Sequence, residues 1–307
     1  MASAGAVAMR QMFADLYVSR LAYIDEILGA HLDVPGLTYP KVFNVRDSKR
    51  AYEEITELTG LGLFSLKGES EPVEYDRILQ AGNKRLTHLT YAKAVSISSE
   101  AAEDDIDGAI TDMMPQLGEA AHVSIEALVW NTINNGFSGA TTPVTCSDGV
   151  ALYSASHVLR GGGTASNLMT GDLSVAQLET GLNMFDDMVN ERGLPVEMSA
   201  SILVHGPQYR WLVHEMLRSD LRSDTSNNAS NAFKEVMLGP VQTKYLAGSD
   251  DWFLFAEPSK HRVLVYWRKE PVSDHTIDFD TGNLKTKMTY RISTGAPTWR
   301  GTVGSQG

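Results

Sequence analysis

The 307-residue sequence predicts an α+β fold. Two strong helical patterns, residues 103–134 and the segment opening at Ser174, stand among strand-like runs that do not alternate with them as in a doubly wound sheet. Near the end, "LKTKMTYRI" alternates strictly, with Leu284, Met288, Tyr290 and Ile292 on one face and Lys285, Lys287 and Arg291 on the other. A hydrophobic share of 43% against 21% charged residues is enough for a sizeable core.

In chain order, residues 10–28 mix apolar and charged residues without a clean stripe, and Pro35 and Pro40 break the regularity of "LDVPGLTYPKVF" after them. This predicts an arm, partly helical and then extended. Residues 50–58 and 84–98 read as strands, the second with Leu89, Tyr91, Val95 and Ile97 on one face. Between them, Gly60, Gly62, Gly68, Pro72 and Gly82 supply turn chemistry, so the region predicts a long two-stranded projection with an irregular tip.

Helix 103–134 is carried by Ile106, Ile110, Met113, Leu117, Ala121, Ile125 or Leu128, and Ile133. Glu103, Asp104, Asp105 and Asp107 suit the positive end of its dipole, and Pro115 should bend or interrupt it. The next helix starts with a Ser174/Gln177 capping box, carries Val175, Leu178, Leu182, Phe185 and Val189, and should stop at Gly193. "SILVH" (201–205) reads as a buried strand and Pro207 as a helix start. "DWFLFA" and "RVLVYW" read as a hairpin-like pair.

Charge narrows the function. The formal net charge is −12, with 38 acids against 26 bases, which disfavours a surface that grips nucleic acid broadly. Residues 51–127 hold fifteen acids and five bases, whereas 257–300 hold eight bases and five acids. Cys146 is the only cysteine, so no internal disulfide or cysteine-based metal site can form. The start lacks the pattern of a signal peptide, and no run approaches eighteen apolar residues.

Enzyme signatures fall short one by one. Gly161, Gly162 and Gly163 lack the lysine of a phosphate-binding loop. No Gly-x-Ser-x-Gly occurs, and Gly60 and Gly62 do not continue into a dinucleotide fingerprint. His205 and His214 are nine apart, too far for a helical metal pair. His157 with Cys146, or with a nearby serine, is the one hydrolase constellation left.

Four segments together resemble the major capsid proteins of tailed phages with the Hong Kong 97 fold, nearest to the Mu-like major head subunits. They are "ALYSASHVLRGGGTASNL" (151–168), "LSVAQLETGLNMFDDMVNERGLPVEM" (173–198), "SILVHGPQYRWLVHEMLRSD" (201–220) and "TWRGTVGSQG" (298–307). The resemblance implies an N-terminal arm (1–46), an extended E-loop hairpin (47–99) and a peripheral domain with its long spine helix (100–149). It also implies an axial domain (150–272) and strands returning to the peripheral domain (273–307). It implies no catalytic residue, no cofactor and no metal. Contacts between subunits are expected at the E-loop tip, Phe64, Leu66, Lys67 and Glu69, and on the basic strand face of Lys285, Lys287 and Arg291, which otherwise reads as solvated surface.

The function so implied is a head subunit that assembles into pentamers and hexamers of an icosahedral shell around double-stranded DNA. The protein would be made in the host cytoplasm and reside in the virion. Its partners would be further copies of itself, portal and scaffolding proteins, and weakly held DNA, with room for decoration proteins and no membrane. Without a charged, coiled-coil-like leader the scaffold is expected to be a separate protein. Some relatives crosslink through a lysine–asparagine bond; nothing around Lys67 specifically supports that here. The alternatives are an encapsulin-like shell around protein cargo, and the hydrolase centred on His157.

Overall fold

The computed structural model describes residues 36–98, 100, 109–139, 144–219, 233 and 236–307. The partly helical arm expected to start over 10–28 and the acidic start of the long helix lie outside them. In chain order the strands and helices begin with β1 (Asn44–Asp47), β2 (Tyr52–Leu58), β3 (Gln80–Thr87), β4 (Leu89–Ile97) and α1 (Ala109–Asn134). Next come β5 (His157–Val158), β6 (Thr164–Ala165), β7 (Leu168–Thr170), α2 (Val175–Asp186), β8 (Ile202–His205), α3 (Arg210–Arg218) and β9 (Gly239–Gln242). The order closes with β10 (Trp252–Phe255), β11 (Leu264–Ile277), β12 (Leu284–Gly295) and β13 (Thr302–Gln306). No described helix is long and apolar enough to cross a membrane.

The chain forms two compact units. Among the described residues the first comprises 36–37, 88–98, 100, 109–126 and 267–292. Here β4 pairs antiparallel with β12 from Ile97↔Leu284 to Leu89↔Ile292. The register puts Tyr91 opposite Tyr290, and their rings stack 5.3 Å apart. The alternation read in β12 is realised: Leu284, Met288 and Tyr290 are buried and Lys285 and Lys287 exposed. α1 runs through Pro115 unbroken, since the missing donor removes a single bond from a ladder of 26 residues.

The second unit holds, of the described residues, 38–87, 127–139, 144–219, 233, 236–266 and 293–307. Its centre is a five-stranded sheet in the order β7-β13-β10-β8-β9. β10 is buried throughout, and such a strand needs a neighbour on each side; β13 and β8 supply them, both antiparallel. This corrects the expected pairing of "DWFLFA" with "RVLVYW": the latter opens β11, in another sheet. Short, fully buried strands carry no periodicity that could name their partners.

One row of partners crosses the whole sheet: Met169, Ser305, Trp252, His205 and Gln242, on β7, β13, β10, β8 and β9 in turn. These side chains share a face. On that face α2 presses Gly181 against Leu254, Met169 and Trp252, where a Cβ would come within 2.8 Å of Leu254 Cδ1. The opposite face holds Phe253, ringed by Phe137 and Tyr153 at centroid distances of 5.8 and 5.3 Å.

Two further expectations shift. α2 keeps its predicted cap, with Ser174 Oγ accepting from Gln177 N at 3.3 Å, but ends at Asp186 instead of Gly193. Gly193, at φ +77°, serves the tight turn that Val189 and Pro195 close. The predicted strand 84–98 is two strands that separate at His88: β3 pairs with β2, β4 with β12.

Candidate assembly surfaces

The histidine-bearing segment is a buried polar network. β5 and β6 form a small hairpin, with Gly162 and Gly163 at positive φ in its turn. His157 has no exposed surface: Nδ1 meets Asp148 Oδ2 at 2.6 Å, Nε2 meets Asn167 Oδ1 at 3.1 Å, and its ring stacks on Trp299 at 4.7 Å. Asn167 is the hub. Its Nδ2 donates to Leu152 O (2.8 Å) and Thr302 O (3.2 Å), while its Oδ1 also accepts from Ser154 N (3.0 Å). One buried side chain thus satisfies groups on three separate segments, as burial of polar atoms requires.

That wiring weakens the hydrolase reading. Both ring nitrogens of His157 are occupied by oxygens, so neither is placed to take a proton from a nucleophile. Cys146 is buried, and burial, aided by the Asp148 and Glu57 carboxylates, pushes its thiol well above the usual range. Among the described residues no group of His, Cys, Asp or Glu is arranged to hold a metal ion.

Next to this network lies the stem of the β2–β3 ribbon. Arg300 Nη1 lies 2.9 Å from both Glu57 Oε1 at the end of β2 and Glu191 Oε1, while its Nε donates to Val189 O at 2.7 Å. Glu57 also accepts from Ser147 Oγ. Gly82 of β3 lies so close to Ser147 that a Cβ would meet its carbonyl oxygen at 2.5 Å. Lys84 reaches Thr145, and burial lowers its ammonium's pKa. Ile55 packs on the cluster of Leu86, Leu264 and Tyr266.

Beyond the stem, residues 59–79 have no regular secondary structure. Asp76 ties the two sides of the loop together: its carboxylate accepts from Gly62 N at 2.8 Å and pairs with Arg192 at 2.8 Å. The Gly62 bond, then Arg192, hold its pKa below the ordinary value. Arg192 also donates to Arg77 O at 2.7 Å.

Past this tie the loop is turned inside out. Phe64 and Leu66 are fully exposed, at 101% and 100%, and Leu63 and Tyr75 nearly so. Lys67 and Glu69 share the tip and are exposed. All four residues expected at the tip are therefore together on one open loop; Leu63 and Tyr75, which sequence reasoning missed, belong with them. Their apolar character in a Gly/Pro-rich loop was the available signal.

The basic strand face divides. Lys285 pairs with Asp278, and Lys287 Nζ sits 3.5 Å from Asp274 Oδ2. The Lys285 bond is the leading cause of a lowered Asp278 pKa. Arg291 is half-buried, with its Nε buried and unsatisfied. The lysines thus pair with a carboxylate of β11, Asp274, and with Asp278 just beyond its end, a use that favours the solvated reading.

A family profile described as phage capsid protein matches residues 84–305. Solved structures match along most of the chain at low identity. The virus-like particle from Pyrococcus furiosus aligns at 11% identity and TM-score 0.55, covering 92% of this chain and 98% of its own. The protein from Microbacterium phage Oxtober96 aligns at 12% and 0.54, covering 86% and 89%. The procapsid of bacteriophage JBD30 aligns at 15% and 0.54, covering 95% and 75%. No curated protein matches the chain.

Proposed function

The chain belongs to the phage capsid protein family, and we propose that it builds an icosahedral head as pentamers and hexamers, each copy reaching its neighbour through the ribbon of residues 52–87. Its role is that of a major capsid protein, a structural subunit of the virion shell with the Hong Kong 97-type fold. The arm, E-loop, peripheral and axial divisions expected from the sequence fit this role. So do portal and scaffolding partners, assembly in the host cytoplasm, and DNA held only weakly by an acidic wall.

The observation that carries the proposal is the exposed apolar tip. Leu63, Phe64, Leu66 and Tyr75 stand in water on a loop whose stem is clamped by ion pairs and buried hydrogen bonds. A stem fixed so firmly favours a surface presented to a partner over a segment awaiting a place in its own core. Burying such tips in every copy of a closed assembly sums many small contacts into a stable shell. The buried His157 network and the inert Cys146 favour a role without catalysis.

Electron microscopy of the purified protein tests this. Closed shells tens of nanometres across are expected, on the scale of a tailed-phage head, and a Phe64→Ser, Leu66→Ser variant should remain unassembled while keeping its thermal transition. Wild-type protein that stays monomeric at high concentration would overturn the proposal. Nucleic acid inside the shells fits a phage head; enclosed protein cargo would point to an encapsulin-like compartment.

A further inference from the structure

The two helices on one face of the five-stranded sheet carry opposite charge. α2 lies over β7 and β10, where Gly181 meets Met169, Trp252 and Leu254. α3 lies toward the other edge, bordering a cleft of about 800 Å³ with His205 of β8 and Gly239 and Gln242 of β9. Because Trp252 and His205 are register partners, both helices cover the same side of the sheet.

The outward stripe of α2 is acidic. Glu179 and Asp186 stand two turns apart on the helix and are exposed, the exposed Asp172 lies just before its cap, and no Lys or Arg occurs from Gly171 to Asn190. The outward face of α3 is basic and aromatic. Arg210, His214 and Arg218 lie on one line, with Glu215 the one acid among them. Trp211 is 75% exposed beside Arg210, whose guanidinium lies 5.4 Å from its ring centroid, and Met237 is 92% exposed across the cleft. A tryptophan flanked by arginines is the residue set that protein interfaces favour.

We infer that the α3 face binds the acidic α2 stripe of a second copy of this chain, head to tail. The two patches differ and lie toward opposite edges of one sheet, so the contact is heterologous. Heterologous contacts that close give rings. Opposite charge selects the neighbour and its orientation, while Trp211 and Met237 supply the apolar area that ion pairs in water do not. This rests on the shell reading above and names the contact that would join subunits within one ring, which the ribbon tip does not specify.

The test uses the full-length chain in two charge-reversed forms, Arg210→Glu/Arg218→Glu and Glu179→Lys/Asp186→Lys, compared by sedimentation and thermal melting. Each form alone should keep the wild-type melting temperature and show self-association weakened about tenfold or more, because like charges then face each other. Mixed in equal amounts the two forms should associate with each other, since every contact in an alternating ring of six again joins opposite signs. Two forms that associate as the wild type does, or a mixture that fails to recover association, would overturn the inference. The outcomes separate from those of the shell reading. A recovered mixture without closed wild-type shells keeps this contact and removes the shell. Wild-type shells with indifferent variants do the reverse.

Discussion

The His157–Asn167 network and the ribbon tip invert each other. Around Asn167, polar groups are fully enclosed and nearly every one meets a partner within the chain. At residues 61–75, apolar side chains are enclosed by nothing. The first region is complete within one copy; the second becomes complete only against something else. The difference tells stability from assembly. Substitutions in the network should unfold the subunit, whereas substitutions at the tip should leave it folded and alone.

The largest effect is expected at Asn167. Asn167→Ala orphans Leu152 O, Thr302 O, Ser154 N and one nitrogen of His157, and should cost about 4–5 kcal/mol in urea unfolding. A loss below about 1 kcal/mol would mean that the network is not an interior strut. Arg300→Ala should come next at about 3–5 kcal/mol, because the buried Glu191 and the largely covered Glu57 are left without their cation. Arg300→Met should soften that loss only if shape, and not charge, holds the ribbon stem.

Acidification sharpens the comparison. Burial depresses the pKa of His261 from 6.5 to about 4, against the opposing effect of its bond to Val42 O. The imidazole donates to Val42 O and accepts from Val263 N, an arrangement that needs the neutral ring. The unfolded state binds this proton first as pH falls. The group's stabilisation is therefore complete above pH 6.5 and is lost between pH 6.5 and 4, about 3 kcal/mol in all. His205, also depressed by burial, adds a slope of the same sign. Stability curves at pH 7, 5.5 and 4 should show it, and His261→Gln should flatten most of it.

The smallest effect on folding belongs to the tip. Leu63→Ser or Tyr75→Ser should shift unfolding by no more than about 0.5 kcal/mol, the range of exposed positions. The same variants should lose shells under the microscope. A tip substitution that destabilised the isolated subunit would end the contrast between the two regions.

What the sequence made legible was local. The alternation of β12 and the Ser174 cap depend on residues close in the chain, and both are where pattern puts them. Lost were the partnerships across long stretches. Arg300 finds Glu57 some 243 positions away, and no periodicity relates them. Asn167 is legible as part of a motif but not in its role, because only the folded backbone shows how many carbonyls converge on it. The split at His88 is hidden because alternation continues across it while the partner strand changes. Lys285 and Lys287 are readable as a face, yet their carboxylate partners depend on the register of a hairpin and not on the strand alone. The tip residues are legible in kind, as apolar side chains among turn formers.

The place of β13 bears on when a subunit can come into being. Residues 302–306 fill the gap between β7 and β10 in the middle of the sheet. A ribosome that has released β7, β8 and β10 has therefore produced a sheet with a vacant central slot, and both strands that border it must wait for residues made more than forty positions after β10. Until then the nascent chain shows sticky strand edges but no finished surface to offer a neighbour. Translation of residues 302–306 thus sets the moment at which a copy has a finished sheet to bring to another.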